Sequence, residues 1–463
     1  RPLVVGHNLK YDYQVLRRHG IELPTNRMAD TMIAAYLCGE QALGLKALAK
    51  RYLNYDMETL DSLLAQVQER LDLEFFATVA ELTPLISSSA AKSLKAVLAA
   101  DNPTAALNRR PGLKMTLTLM GHTLRQATVA DVAQRMPDQM KDYACADADA
   151  TLNLWPIFEA RLKELQLEHL FWDIEMPLVP ILADVERRGL QIDRQKAMGL
   201  SKEWAFDLNE LRSGLRLTLG LDNPGSSKQV GDIVFGKMGY KPLARTDSGQ
   251  PSTAAWVLEY YADDPDIQSI LDYRKLFKLR STYLDPWLAT TGRIHPNFNQ
   301  VRQHGEDAEG ATITGRMSSS GPNFQNVPVR TPEGKRVRSC VVAEPGHVLV
   351  SFDYKQLEWI LLGIAAQSET IIDAYTQGWD VHTRNMELLH LDRPTAKRVT
   401  YLWGYRGRAG KLAQLLHSTQ QRAQTYLDAL DAGYPEVLAW WQAEVEKARG
   451  RGYVSTLWGR RRY

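Results

Sequence analysis

"VLVSFDYKQLEW", residues 348–359, sets an apolar, β-branched run against a carboxylate at its tip, Asp353, with a second carboxylate, Glu358, five residues on. The run reads as a buried strand and the residues after Gln356 as a helix. Asp353 is therefore expected where a strand hands over to a helix at the C-terminal edge of a sheet, a common place for ligand sites. A charge at the tip of a buried strand needs a partner, either a metal or a basic side chain. The plainer structural alternative is an N-cap aspartate, and neighbouring segments have to decide between the two.

Downstream, "DRPTAKRVTYLWGY" (392–405) repeats Arg393, Lys397, Tyr401 and Tyr405 every four residues. On a helix these form one slowly turning stripe about 18 Å long. Cations followed by aromatics suit a nucleotide triphosphate, charge for the phosphates and ring faces for base or sugar. A solvated basic face over buried tyrosines is the structural alternative. Because Arg393 precedes Pro394, the helix is predicted to begin at 394, leaving Arg393 just outside it near the positive end of the dipole.

Upstream, "TITGRMSSSGPNFQNVPVR" (312–330) supplies Arg316, Asn323, Gln325, Asn326 and Arg330, a dense set of donors suited to sugar-phosphate backbones and base edges, or else simply a polar loop. "GKRVR" (334–338) adds three cations ahead of an expected strand. Two i, i+4 pairs lie far away, Asn8 with Asp12 in "GHNLKYD" and Tyr143 with Asp147 in "DYACADAD". Two carboxylates from separate helices plus a tyrosine hydroxyl could hold divalent metals and orient a water for phosphodiester hydrolysis, although each pair alone reads more often as structural than as catalytic. "GYRGRAGKLA" lacks the GxxxxGK spacing of a phosphate loop.

The 463 residues suffice for about three domains with ordinary cores. A net charge of +2 makes no global case for a polyanionic partner, so any nucleic-acid footprint has to be local. Cys38, Cys145 and Cys340 are widely spaced and outside any CxxC context, which argues against a disulfide framework or structural zinc and fits a reducing compartment. No apolar run approaches bilayer length and nothing resembles a signal peptide; the chain opens at Arg1 directly into "PLVVGHN", so an upstream segment is expected.

Residues 1–165 alternate short β-branched runs with helical stretches, an α/β pattern, interrupted at about 60–115 by a less regular helical insert. Residues 166–290 are helical in periodicity, with Ser226 or Ser227 able to cap a helix in "NPGSSKQVGDIVF". The rest mixes expected strands, "GRIHPNFNQV", "RVRSCVVA" and "HVLVSFD", with helices after Gln356 and Asp392.

"TGRMSSSGPNFQNVPVR", "SFDYKQLEW", "RPTAKRVTYLWGY" and "GYVSTLWGRRRY", in that order, resemble the polymerase half of the DNA polymerase I family (family A). "GHNLKYD" and "YACADAD" are similar to the second and third motifs of its 3'-5' exonuclease domain. The resemblance implies an α/β plus α+β multidomain chain: a ribonuclease H-like exonuclease domain at 1–165, then a right-hand polymerase at 166–463 with thumb at about 195–290, palm at 291–362 and fingers from 363. It implies primer extension with dNTPs on template DNA by a two-metal mechanism with two Mg²⁺ per active site.

Asp353 would be a palm metal ligand and Glu358 the steric gate against a ribose 2'-hydroxyl. Arg393 and Lys397 would grip the triphosphate, Tyr401 would contact the sugar and Tyr405 lie near the templating base, with Gln356 and His382 completing the nucleotide set. Arg316, Asn323, Gln325, Asn326 and Arg330 would contact primer and template. Asp12 and Asp147 would bind metal in the exonuclease domain, where Tyr143 orients the water.

The sequence also departs from the family. Thr400-Tyr401-Leu402 and Tyr405-Arg406 replace Asn-Phe-Gly and Tyr-Gly, and Ile360 stands where an Arg is frequent. In the family this sequence resembles, a tyrosine at the position of Tyr401 goes with weaker rejection of dideoxynucleotides, and the same is expected here. The palm's His-Asp hairpin and the exonuclease's Asp-x-Glu motif are absent, so the chain is expected to be an internal piece, inactive by itself, of a cytoplasmic enzyme of a bacterium or of a phage-infected host. A catalytically dead primer-template binding protein and a single-subunit RNA polymerase are the competing readings; Glu358 and the exonuclease-like segment speak against the second.

Overall fold

The computed structural model describes residues 2–301, 314–416 and 418–463; Thr312 and Ile313 of the polar loop lie outside the described residues. The chain divides into two compact units between Ala183 and Asp184, where the periodicity placed a boundary at 165/166.

In the first unit the β-branched run becomes β1 (Val4–Gly6), which pairs in parallel with β2 (Met28–Asp30) through α1 (Leu9–Arg18), register Val4 to Met28 and Gly6 to Asp30. Asp30 is buried because its carboxylate is fully used by backbone amides. One oxygen caps α2 (Thr31–Leu37) at Met32 N (2.8 Å), and the other accepts from Leu9 N at the start of α1 (2.7 Å). The apolar faces of α2 and of α3 (Leu45–Leu53) pack on α4 (Pro137–Glu164), whose Leu154, Phe158 and Leu162 are buried. The insert is helical as expected but longer, with helices over 60–135 that have their own small cores around Leu94, Leu107 and Leu117 and around Leu63, Val67 and Val132.

The second unit opens on β3 (Gln191–Ile192) and two long helices that pack side by side, α5 (Arg194–Leu219) and α6 (Pro265–Leu279). Between them Ser226 rather than Ser227 caps the short helix Ser227–Gly231. β4 (Asn297–Asn299) pairs antiparallel with β5 (Ser318–Ser320). Trp204 and Trp287 anchor the core beneath the polar loop, and Trp287 stacks on Phe324 at 5.0 Å.

Two expected strands are corrected here. "GKRVR" does not precede a long strand: it lies in α7 (Pro332–Arg338), started by Thr331, whose hydroxyl accepts from Gly334 N. Only β6 (Val341–Val342), paired with β3, follows it. "HVLVSFD" forms no strand among the described residues: 347–354 is irregular, and Phe352 is 93% exposed. An apolar alternation becomes a strand only when another strand accepts its amides, and no described segment does so.

After residue 356 come α8 (Leu357–Ala366), a short helix Glu369–Thr376, α9 (Val381–Leu389), α10 (Arg393–Gly404), α11 (Ala409–Leu416), α12 (Gln420–Gly433) and α13 (Pro435–Arg451), followed by the hairpin β7 (Val454–Ser455) and β8 (Arg461–Arg462). Their core is aromatic: Trp403 packs against Tyr434 (5.4 Å) and Trp441 (4.8 Å), and Trp359 lies edge-on to Tyr434. α10 buries Ala396, Val399, Thr400 and Trp403 in this core, which turns the Arg393, Lys397, Tyr401 and Tyr405 stripe outward.

Candidate functional sites

The helix carrying the cationic stripe begins one residue earlier than predicted. Asp392 caps it by accepting from Thr395 N at 3.1 Å, so Arg393 is its first residue and Pro394 sits in the first turn, where its missing amide costs nothing. Arg393 lies against Asp380 of the α9 cap through its Nε (2.9 Å). Burial pushes the Asp380 carboxyl up, but the Arg393 guanidinium outweighs it and the group lies below the usual range.

Lys397 stands 5.8 Å over the Tyr401 ring, and the His382 ring is 5.5 Å from the same tyrosine. His382 is buried with Nδ1 unpartnered; burial lowers its pKa against the pull of Asp380, and the charges of Lys397 and Arg393 lower it further. Asp380, the counter-ion of Arg393, carried no signal in the sequence beyond its position as a cap.

A second group of predicted residues comes together. Arg316 bonds Glu358 at 2.5 Å and reaches the Tyr405 hydroxyl at 3.5 Å, while that hydroxyl donates to Glu358. The Tyr405 bond holds the Glu358 carboxyl below its ordinary range, Arg316 adding to this against partial burial. Three residues assigned to primer, sugar and template thus form one hydrogen-bonded group at the exposed end of α10.

The loop residues are placed by backbone bonds. Asn323 accepts from Gln325 N (3.0 Å), Gln325 donates to Met317 O, and the Asn326 carbonyl is held by the Tyr283 hydroxyl at 2.6 Å. The side chains of Gln325, Asn326 and Arg330 face solvent. Gln356 precedes α8 with a left-handed φ of 54°, its carbonyl accepting from Trp359 N (3.0 Å) while its side chain makes no cap bond.

Asp353 is exposed and makes no hydrogen bond or ion pair among the described residues. The expectation of a carboxylate at a sheet edge is therefore corrected to a carboxylate on an unpaired segment. Among the described residues no three His, Cys, Asp or Glu side chains gather as a metal would need.

In the first unit, Tyr143 and Asp147 share a face of α4 as predicted and are hydrogen-bonded. Burial, then the Asp147 charge and that bond, push the Tyr143 hydroxyl up to about 12. Asn8 is not on the α1 face but is its left-handed cap residue (φ 61°). Asp12 follows one turn on, its carboxyl raised by burial and by the charge of Asp30 rather than influenced by Asp147. Asp147 is instead paired with Lys46 of α3, whose ammonium also lies 4.3 Å over the Tyr143 ring. Sequence reading missed Lys46: a single lysine on an amphipathic helix is ordinarily solvated.

Comparisons with known proteins now define the class. A solved structure, the POL domain of Pol1 from M. smegmatis in complex with DNA primer-template and dNTP, superposes with a TM-score of 0.73 at 23% identity. It covers 100% of this chain and 69% of its own, so the fold is shared. Residues 194–463 match DNA polymerase family A, and residues 1–74 match a 3'-5' exonuclease family. The chain belongs to DNA polymerase family A. It is 33% identical to DNA polymerase I of Rhizobium leguminosarum over 99% of this chain and 40% of the relative, and 36% identical to the thermostable DNA polymerase I of Thermus aquaticus over 67% of this chain and 38% of that relative. It thus spans about two fifths of these relatives. No helix among the described residues is long and apolar enough to cross a membrane.

Proposed function

We propose that this chain is part of a template-directed DNA polymerase that extends a primer 3'-hydroxyl with dNTPs, with a 3'-5' exonuclease-like domain at its N-terminal side. Residues 195–290 are assigned to the thumb, 291–362 to the palm and 363–463 to the fingers. The observation that carries the reading is the outward stripe of α10 together with the Arg316, Glu358 and Tyr405 group at its end. One end presents Arg393 and Lys397 for phosphates, the middle a Tyr401 ring for a sugar, the far end a carboxylate where a 2'-hydroxyl has to be refused.

The Asp353 carboxylate, exposed and without a counter-ion, suits a hard divalent cation as one oxygen ligand. Mg²⁺ bound there would supply charge neutralisation at the primer hydroxyl and the leaving pyrophosphate. The chain's own residues hold the triphosphate through Arg393 and Lys397, with Asp380 keeping Arg393 extended until a phosphate displaces it. His382 adds a buried ring nitrogen, Nδ1, without a partner, beside Tyr401. Primer-template DNA and dNTPs are the partners, met by Arg316, Asn323, Gln325, Asn326 and Arg330.

Primer extension by the full open reading frame, comparing Lys397→Ala with wild type, tests the assignment. Loss of a phosphate cation raises the dNTP KM at least tenfold; an unchanged KM removes Lys397 from the site.

A further inference from the structure

The two carboxylates and the tyrosine of the first unit do not fit a metal as arranged here. Asp147, the carboxylate beside Tyr143, is taken by the Lys46 ammonium, and the side chains of this pair are 27% and 30% exposed. The same ammonium stands 4.3 Å from the centre of the Tyr143 ring, so one cation satisfies both a carboxylate and an aromatic face.

The placement is built into the fold. α3 starts after Gly44 and packs its Leu48 and Ala49 against α4, which brings its second residue across to the Tyr143 and Asp147 turn, about one hundred residues away in sequence. Among the described residues no group of three His, Cys, Asp or Glu side chains gathers around Asp147. Asp30 spends its oxygens on the amides of Asn8, Leu9 and Met32, and His7 Nδ1 is bonded to the Thr31 hydroxyl at 2.9 Å. A divalent cation needs several oxygens at once, whereas a lysine needs only one carboxylate and the ring.

We infer that Lys46 is an internal counter-ion standing in the place of a divalent cation at Asp147 and Tyr143, so that this exonuclease-like site is closed to metal until Lys46 is displaced. The inference rests on the reading of Asp147 as a metal ligand and adds the residue that blocks it.

The test is Mn²⁺ binding to the 463-residue chain, followed by the loss of the free Mn²⁺ electron paramagnetic resonance signal, with circular dichroism confirming that each variant is folded. Lys46→Ala is expected to bind Mn²⁺ at least tenfold more tightly than wild type, with the gain abolished in Lys46→Ala/Asp147→Asn, while Lys46→Arg stays at the wild-type level. Lys46→Met keeps the aliphatic stem and decides the matter if Lys46→Ala fails to fold. Lysine-free variants that bind no more tightly than wild type overturn the inference. If wild type itself binds Mn²⁺ in a manner lost in Asp147→Asn, the inference falls while Asp147 stands as a ligand; if no variant shows Asp147-dependent binding, both fall.

Discussion

Arg316 and Glu358, forty-two residues apart in sequence, are joined by a 2.5 Å ion pair that the Tyr405 hydroxyl completes from the end of α10. The carboxylate assigned to exclude ribonucleotides is therefore held from two sides. A gate held in place discriminates; a free glutamate can swing aside.

Removing one holder should loosen it. Tyr405→Phe loses a bond to a charged, half-exposed group, about 1 kcal/mol, or roughly fivefold. The ratio of dNTP to rNTP incorporation is expected to fall by about that factor, and by more in Glu358→Ala. An unchanged ratio in both variants would mean that Glu358 is not the gate.

Arg406 ends α10 in a left-handed conformation (φ 54°), with Arg406 N bonding Trp403 O and Gly407 N bonding Leu402 O, a turn in which glycine is usual. The strain costs about 1 kcal/mol and is offset by the guanidinium lying 4.7 Å over Trp441 and 3.8 Å from Asp431. Arg406→Gly should therefore alter stability by less than about 1 kcal/mol. Arg406→Ala, which keeps the strain and loses the contacts, should cost about 1 to 2 kcal/mol. Denaturant unfolding of the two variants checks the order.

Beneath α10, the buried Tyr434 hydroxyl donates to Asn385 Oδ1 (2.6 Å), and Asn385 Nδ2 donates to Thr400 (3.0 Å). Asn385→Ala strands two buried hydroxyls and is expected to destabilise this region by about 2 to 4 kcal/mol, read by urea unfolding. A loss below 0.5 kcal/mol, taken as about the noise for a surface change, contradicts the network.

His382 predicts a pH dependence. Burial holds its folded pKa below the unfolded value of about 6.5, so the folded state takes up the proton less readily than the unfolded chain. Its contribution to stability is present above about 6.5 and is lost as pH falls through that value toward the lower folded pKa. Comparing unfolding at pH 7.5 and 5.5, His382→Gln should show a smaller acid loss than wild type; equal losses would place the titration elsewhere.

Much of this was legible in sequence where local chemistry decides structure. Asp392, Pro394 and the four-residue repeat defined α10, and Tyr143 and Asp147 shared a face because helical spacing requires it. The helix takes in Arg393, one residue more than the pre-proline bias predicts, because that bias is weaker than a capped first turn. The strand at 348–353 failed because pairing is a property of two segments, and periodicity describes one. Lys46 and Asp380 went unseen for a related reason: their meaning lies in a partner reached only through packing. The grouping of Arg316, Glu358 and Tyr405 is likewise hidden in the sequence, where the three lie up to 89 residues apart.

The most direct test of the account is primer extension by the full open reading frame with Mg²⁺ and dNTPs, comparing Asp353→Ala with wild type. The account predicts that extension falls by about a thousandfold or more while primer-template binding is retained, because a lost metal ligand removes transition-state charge stabilisation and leaves the DNA contacts intact. Extension within tenfold of wild type would contradict it.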